Sequence, residues 1–399
     1  MNLLENNHNI TAFSDQLEKI EIKMCTNCHF NISVNTENQI TLVRLTNCVI
    51  NVKVKKGVKP MILMSSCDTV RIVSVDDEHG FWENAKNISI VNSKNIVVNE
   101  EMTSVEELRL VGCSECVFNL KPTMMKGMDI VECDKIVFKQ QLKQIQSIKV
   151  ASCKRIHMNM QAMNDSRIGF ERCSTCHLEM NVNNTPYSFY EMNNCQIDFR
   201  VNEGEQQSIP LIFHKCKNST INPLFENVEI CFDECHDIQL NNRIPYKYIG
   251  LINSNIVTEG IHVKEILLDS IETQSAIDLS KVKKIELMNL KDYAFENEFN
   301  SCEKLSVIRC ENCDIKLNEQ EKKTIKEITW IGNKKCPLPE HHNIVDSEPL
   351  KISDVNDYEM NDLLFVCDEN NLVIKNANQQ NICVISTRNS NITFEHCKG

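Results

Sequence analysis

Cys113, Cys133, Cys153 and Cys173 stand at a fixed interval of 20 residues, and the residues around each repeat the same frame. With the cysteine as position zero, apolar residues fall at −5, −3, +3, +5 and +7. Leu108, Leu110, Cys116, Phe118 and Leu120 fill those places around Cys113, and Met128, Ile130, Ile136 and Phe138 around Cys133. Ile148, Val150, Ile156, Met158 and Met160 follow, then Ile168, Phe170, Cys176, Leu178 and Met180. A strict short period marks a solenoid, in which no coil is stable alone and each buries its apolar face on the next.

The −5/−3 and +3/+5/+7 sets each alternate with period two, the signature of a half-buried strand. The step from zero to +3 breaks the alternation and predicts a corner. Two strands and two corners in about 20 residues describe one coil of an all-β, single-stranded parallel β-helix, right-handed by the general preference of parallel β connections. A leucine-rich-repeat horseshoe is the rival fold, because Leu108-x-Leu110-x-x-Cys113 also fits its strand and corner.

The frame is expected to centre on Cys25, Asn47, Cys67 and Ser93, then on Asn194, Cys216, Cys235 and Asn253. It blurs near Ile271 and returns at Leu290, Cys310, Asn333, Cys367 and Thr387. Residues 1–16 lie outside it and are expected to cap the first coil, since a solenoid needs its ends covered. Residues 17–399 read as one continuous solenoid with insertion loops near 75–87 and 339–361.

With 42% hydrophobic and 25% charged residues the chain is globular, and its net charge of −12 argues against nucleic acid and anionic membrane as partners. The first residues lack a basic region followed by an apolar core, and no apolar run reaches membrane-spanning length. The 21 cysteines, an odd number in a long chain, are therefore expected to be reduced thiols in the cytoplasm.

Cys25/Cys28, Cys113/Cys116, Cys173/Cys176 and Cys310/Cys313 have the spacing of zinc or redox pairs. Positions zero and +3 are inward slots, however, and Ile136 and Ile156 fill in their coils the slot that Cys116 and Cys176 fill. A ladder of small buried side chains explains them without metal. Two pairs continue into His29 and His177, which matches covalent haem attachment. Both histidines fall at +4, an outward slot that His157 shares, so neither haem nor any other cofactor is expected.

The insertion Asp76-Asp77-Glu78-His79, followed by Phe81 and Trp82, and a second one with Cys336, His341 and His342 are loop candidates for a ligand or metal. A solvated loop accounts for each more plainly, and the two lie too many coils apart to form one site. At −2, Val91, Val111, Val131 and Ala151 are apolar in successive coils, and so are Val97, Val117 and Val137 at +4. Both slots face outward. Stacked, they would give an apolar stripe, either a partner contact or a surface covered by the nearby insertion. Asn31, Asn99, Asn119 and Asn159 at +6 suggest a polar ladder beside it.

Met24-Cys-Thr-Asn-Cys28-His-Phe-Asn-Ile32 and Arg309-Cys-Glu-Asn-Cys313-Asp-Ile-Lys-Leu317 resemble coils of the tubulin-binding cofactor C and cyclase-associated protein type of β-helix. That resemblance implies a cytosolic role near tubulin, actin or small GTPases. The catalytic arginine motif of cofactor C proteins is absent: its nearest counterpart, Gln140-Gln-Leu-Lys143, has lysine in place of arginine and no histidine after it. The expectation is a non-catalytic solenoid scaffold that binds another protein along one face. A β-helix polysaccharide lyase or glycoside hydrolase is the alternative, and it requires Asp, Arg and Lys clustered in a groove on adjacent coils.

Overall fold

The computed structural model describes the chain except residues 1–8, 15–18, 35–38, 56–57, 75–84, 183–186, 202–209, 242, 258–260, 272–278, 297, 326, 332, 334, 337–361, 368–371, 376–380, 387–391 and 396–399. It is a parallel β-solenoid. The described residues are nearly all strand, with one 3-10 turn at Leu279–Lys281 and one short helix at Glu319–Thr324. Contacts divide the chain into two units, Met1–Ile209 with Lys215–Phe225, and Pro210–His214 with Glu226–Gly399.

In the first unit each coil has a leading strand, a corner and a trailing strand. Leading strands include Lys19–Lys23, Gln39–Val43, Met61–Ser65, Asn87–Val91, Glu107–Val111 and Gly127–Val131. They stack parallel and in register, so Ile22, Leu42, Met64, Ile90, Leu110 and Ile130 form one inner column. All six are buried. Trailing strands such as His29–Val34, Val49–Val54 and Ser114–Leu120 also stack in parallel with inward alternation, and Phe118 lies 5.8 Å from Phe138 in their core. This second strand in every coil replaces the leucine-rich-repeat alternative. Asn9–Ser14, inside the segment expected to cap, pairs in parallel with His29–Val34.

The corner is built from two residues in the left-handed region, at −1 and +2. Glu132 and Lys135 have φ of 54° and 58°, Asn92 and Asn95 of 48° and 54°, and Gly112 and Glu115 of 62° and 54°. A non-glycine residue pays about 1–2 kcal/mol for this conformation. Ladder bonds to the next coil offset it: Glu132 N–H donates to the Ala151 carbonyl at 2.9 Å and Lys135 N–H to that of Lys154 at 2.9 Å.

Between these two residues the N–H of position zero points into the core, where the next coil's side chain accepts it. Cys113 N–H donates to Cys133 Sγ and Cys133 N–H to Cys153 Sγ, both at 3.4 Å. In some coils another polar side chain does the same work: Cys67 N–H donates to Ser93 Oγ at 3.0 Å. In the second unit Cys235 N–H donates to Ser254 Oγ at 2.9 Å and Cys310 N–H to Asn333 Oδ1 at 2.8 Å. The thiols in turn donate to carbonyls, as Cys113 does to Ile90 at 3.2 Å. The corner cysteine is thus more than a small apolar filler, because it satisfies a donor that would otherwise be buried alone.

Three expected centres shift. The bridge between Thr26 and Thr46 places Leu45 at position zero, so Asn47 stands at +2 with φ 50°. Met192 likewise replaces Asn194, which has φ 53°, and Ser254 replaces Asn253, which has φ 45°. Asparagine is tolerated in the left-handed region, and this makes it a corner flank rather than a corner centre. Asn47 Nδ2 also donates to Asn27 Oδ1 of the preceding coil at 2.7 Å.

In the second unit leading strands such as Val228–Asp233, Pro245–Ile252, His262–Asp269, Lys284–Met288 and Lys304–Ile308 stack by the same rule, and Phe213 lies 5.3 Å from Phe232. Its short helix is closed by a capping box on Asn318 and Glu321. Asp362–Cys367 pairs in parallel with Asn381–Ser386, and Leu372–Lys375 with Ile392–Glu395.

Candidate functional site: the outer face of the leading strands

The Cys-x-x-Cys pairs do not form a reactive centre. Cys25, Cys28, Cys113, Cys116, Cys173, Cys176, Cys310 and Cys313 are all free thiols and all buried. Their Sγ–H groups donate to backbone carbonyls, Cys25 to Lys23 at 3.2 Å and Cys28 to Thr26 at 3.4 Å. Among the cysteines whose side chains are described, all but Cys231 and Cys302 stand at position zero or +3. Burial raises Cys116 to about 11, so this thiol is protonated and unreactive near neutral pH. Cys336 takes the +3 slot, where its Sγ accepts Cys313 N–H at 3.2 Å. Among the described residues no group of three His, Cys, Asp or Glu side chains is arranged to hold a metal ion.

Asp76, Asp77, Glu78, His79, Phe81, Trp82, His341 and His342 lie outside the described residues.

The outward valines are brought into register as two columns, not one stripe. Val91, Val111, Val131 and Ala151 align on the leading strands. Val97, Val117 and Val137 align on the trailing strands. The polar corner, with Lys94, Asn95, Glu115, Asp134, Lys135 and Arg155, runs between them. Ala151 is buried at 3% exposure, a lone methyl between the larger Val131 and Glu171, and it leaves the accessible surface. The remaining valines are half-buried except Val97, which is 41% exposed.

The trailing column continues into His157 and His177, whose rings meet edge to face at 5.0 Å. His177 Nε2 is 3.2 Å from Asp198 Oδ2, and Asn222 Nδ2 and Gln196 Nε2 also donate to that carboxylate, at 2.7 and 3.0 Å. Asn159 Nδ2 donates to Glu179 Oε2 at 3.0 Å. The side chains satisfy one another across coils, which makes this a hydrogen-bonded ladder. The expected asparagine ladder is of the same kind, with Asn119 Nδ2 donating to the Asn99 carbonyl at 2.7 Å and Asn51 Nδ2 to Asn31 Oδ1 at 2.9 Å. Glu321, a buried carboxylate of the second unit, accepts Phe299 N–H and Asn318 N–H, each at 2.7 Å, and serves as a structural cap.

The leading-strand face carries an open groove. It measures about 500 Å³ and lies over the outer surface, lined by Gln39, Met61, Leu63, Asn87, Ser89, Glu107, Arg109, Gly127 and Asp129. The even alternation that sends Ile62 and Met64 inward sends Met61 and Leu63 outward, and Met61 is 48% exposed. Val43, Val91, Val111 and Val131 run beside the groove in the neighbouring outward column. Elsewhere on the unit charges pair across coils: Glu106 meets Lys126 at 2.7 Å and Lys86 at 3.4 Å. Glu107, Arg109 and Asp129 make no ion pair among the described residues. Asn87 Oδ1 is buried without a hydrogen-bond partner among them.

Sequence reasoning reached the valine column and missed the groove. With Asn47 as a coil centre, Val43 falls out of the −2 set. With Leu45, which the alternation of Ile40 and Leu42 supports, Val43 joins it. Met61 and Leu63 were hidden because they are isolated apolar residues in outward places, legible only beside their neighbours in the next coils.

Comparison with known proteins finds no matching family model, no similar curated protein and no similar solved structure.

Proposed function

We propose that this protein is a non-catalytic solenoid that binds another protein on the outer face of its leading strands. The groove over Met61–Asp129, with Met61 and Leu63 outward and the half-buried Val91, Val111 and Val131 beside it, carries this reading: outward apolar side chains next to a groove mark a contact site. The net charge of −12 and the reduced, buried thiols suit a reducing cytoplasmic compartment. The coil signature shared with the cofactor C type of β-helix adds cytoskeletal proteins to the partners to be tested first.

The test is affinity capture with wild-type protein and a Val111→Glu/Val131→Glu double variant, each first shown to keep its β-sheet circular dichroism. The captured protein is then purified and its direct binding measured by calorimetry. The expected result is a partner whose affinity falls at least tenfold with the double variant. Equal affinity for both proteins removes this face as the binding surface.

One observation favours a second reading, a carbohydrate-active enzyme. Glu107, Arg109 and Asp129 share the groove, and Lys149 extends the column of Arg109 and Asp129. Carboxylates and cations on adjacent coils are what cleavage of an acidic glycan requires. Release of reducing ends from an acidic polysaccharide, abolished by Asp129→Asn, would support it. The apolar members of the face, Met61, Leu63 and the valines, have no part in that chemistry and favour the protein partner.

A further inference from the structure

Met61, Asn87, Glu107 and Gly127 are register partners on successive coils and form a single outward column along the groove. Each offers different chemistry. Met61, with Leu63 beside it on the same strand, is an apolar seat. Asn87 Oδ1 is an acceptor with no partner among the described residues, and a buried acceptor of that kind calls for a donor. Gly127 leaves open space in the column, since a Cβ placed there would have no atom within 4 Å. Glu107 borders that space on the adjacent coil and Asp129 two residues along the same strand. Neither carboxylate is ion-paired among the described residues.

From this column we infer the occupant, resting on the protein-binding reading above: an extended peptide segment of the partner, running along the column across the coils. Its apolar side chain sits on Met61 and Leu63, a backbone N–H donates to Asn87 Oδ1 after rotation of that amide, and a lysine or arginine head lies over Gly127 between Glu107 and Asp129. Three strand spacings of about 4.8 Å separate Met61 from Gly127, roughly 14 Å. An extended chain rises about 3.3 Å per residue, so the apolar and basic residues stand about four apart and face the same side. Arg109 and Lys149, which flank Asp129 in its column, disfavour a second basic residue beside the first.

The probes are fluorescein-labelled nonapeptides of serine and glycine carrying Leu-x-x-x-Arg, Leu-x-x-x-Glu, or Leu-x-Arg as a spacing control, titrated by anisotropy against the full chain. Leu-x-x-x-Arg is expected to bind at least tenfold tighter than either control. Gly127→Leu, which fills the open space, and Asp129→Lys, at an exposed residue, should each abolish that preference; Glu107→Lys gives an independent third variant. Equal binding of all three peptides, or a preference that survives both Gly127→Leu and Asp129→Lys, overturns the inference. Tighter binding of an acidic oligosaccharide than of any peptide does so in favour of the glycan reading. If the peptides fail while Val111→Glu/Val131→Glu still releases the purified partner, the proposed function stands and the occupant named here falls.

Discussion

The corner column and the groove column belong to the same coils of the first unit and obey opposite rules. Along the corner, Cys113, Cys133, Cys153 and Cys173 repeat one residue, and where it changes, Ser93 takes over the same hydrogen bond. Along the groove, Met61, Asn87, Glu107 and Gly127 share nothing but their register. Many coils meet the corner's inward N–H, between two left-handed residues, with the same kind of acceptor, whereas Leu45 and Leu290 fill the slot with an apolar side chain. The outer column faces no such constraint. Its residues are therefore free to differ from coil to coil.

The largest test of this contrast is at the corner. Cys133→Ala strands the Cys113 N–H and leaves a small cavity, and should cost about 2–3 kcal/mol in urea unfolding. Cys133→Ser should cost only about 1 kcal/mol, because a hydroxyl accepts the same N–H as Ser93 Oγ does from Cys67. Equal losses for alanine and serine would reduce the slot to an apolar pocket and dissolve the distinction.

A second test uses pH. The Cys116 thiol is held at about 11 in the folded chain by burial, against about 9 for an exposed thiol. Its folded value is the higher one, so the stabilising contribution is complete below pH 9 and is lost as pH rises through 11. The loss is on the order of 2 kcal/mol, and Cys116→Val should remove that alkaline step from the unfolding midpoint measured between pH 8 and 11. A midpoint with the same pH dependence in wild type and variant would place this thiol in contact with water.

How much of this was legible in the sequence follows from the same contrast. The period of 20 and the alternation around Cys113–Cys173 expose the strands and inner columns, because an inward slot is filled by an apolar residue in every coil. The corner centres were legible where cysteine marks them and also at Ser93, Leu290 and Asn333. Asn47, Asn194 and Asn253 drew the frame off by one or two residues because asparagine suits the flanking left-handed positions, although the alternation of Ile40 and Leu42 points to Leu45. The groove was not legible. Its column arises from four unlike residues brought side by side by stacking, and its Gly127 contributes by having no side chain. The valine columns were found, and the predicted corner between zero and +3 already separates the −2 column from the +4 column.

Glu132 offers a smaller effect that belongs to neither column. It is exposed and holds φ of 54° as a residue with a Cβ. Glu132→Gly should relieve the left-handed cost while adding unfolded-state freedom, for a net stabilisation of up to about 1 kcal/mol. The same change at a leading-strand residue such as Leu110 should be strongly destabilising. A destabilised Glu132→Gly protein would mean that the side chain, rather than the backbone turn, shapes this corner.

The smallest stability effect is expected where the functional effect is largest. Glu107 and Arg109 are exposed on the groove and make no ion pair among the described residues, so Glu107→Gln or Arg109→Ala should move the unfolding free energy by no more than about 0.5 kcal/mol. Glu107→Gln removes one of the two carboxylates beside Gly127 and should weaken the Leu-x-x-x-Arg peptide several-fold at unchanged stability. An ordinary solvated strand residue would show neither change. A residue serving the fold would show the first, so a shift in unfolding midpoint with intact peptide binding would return Glu107 to the scaffold and take the outer column's variation with it.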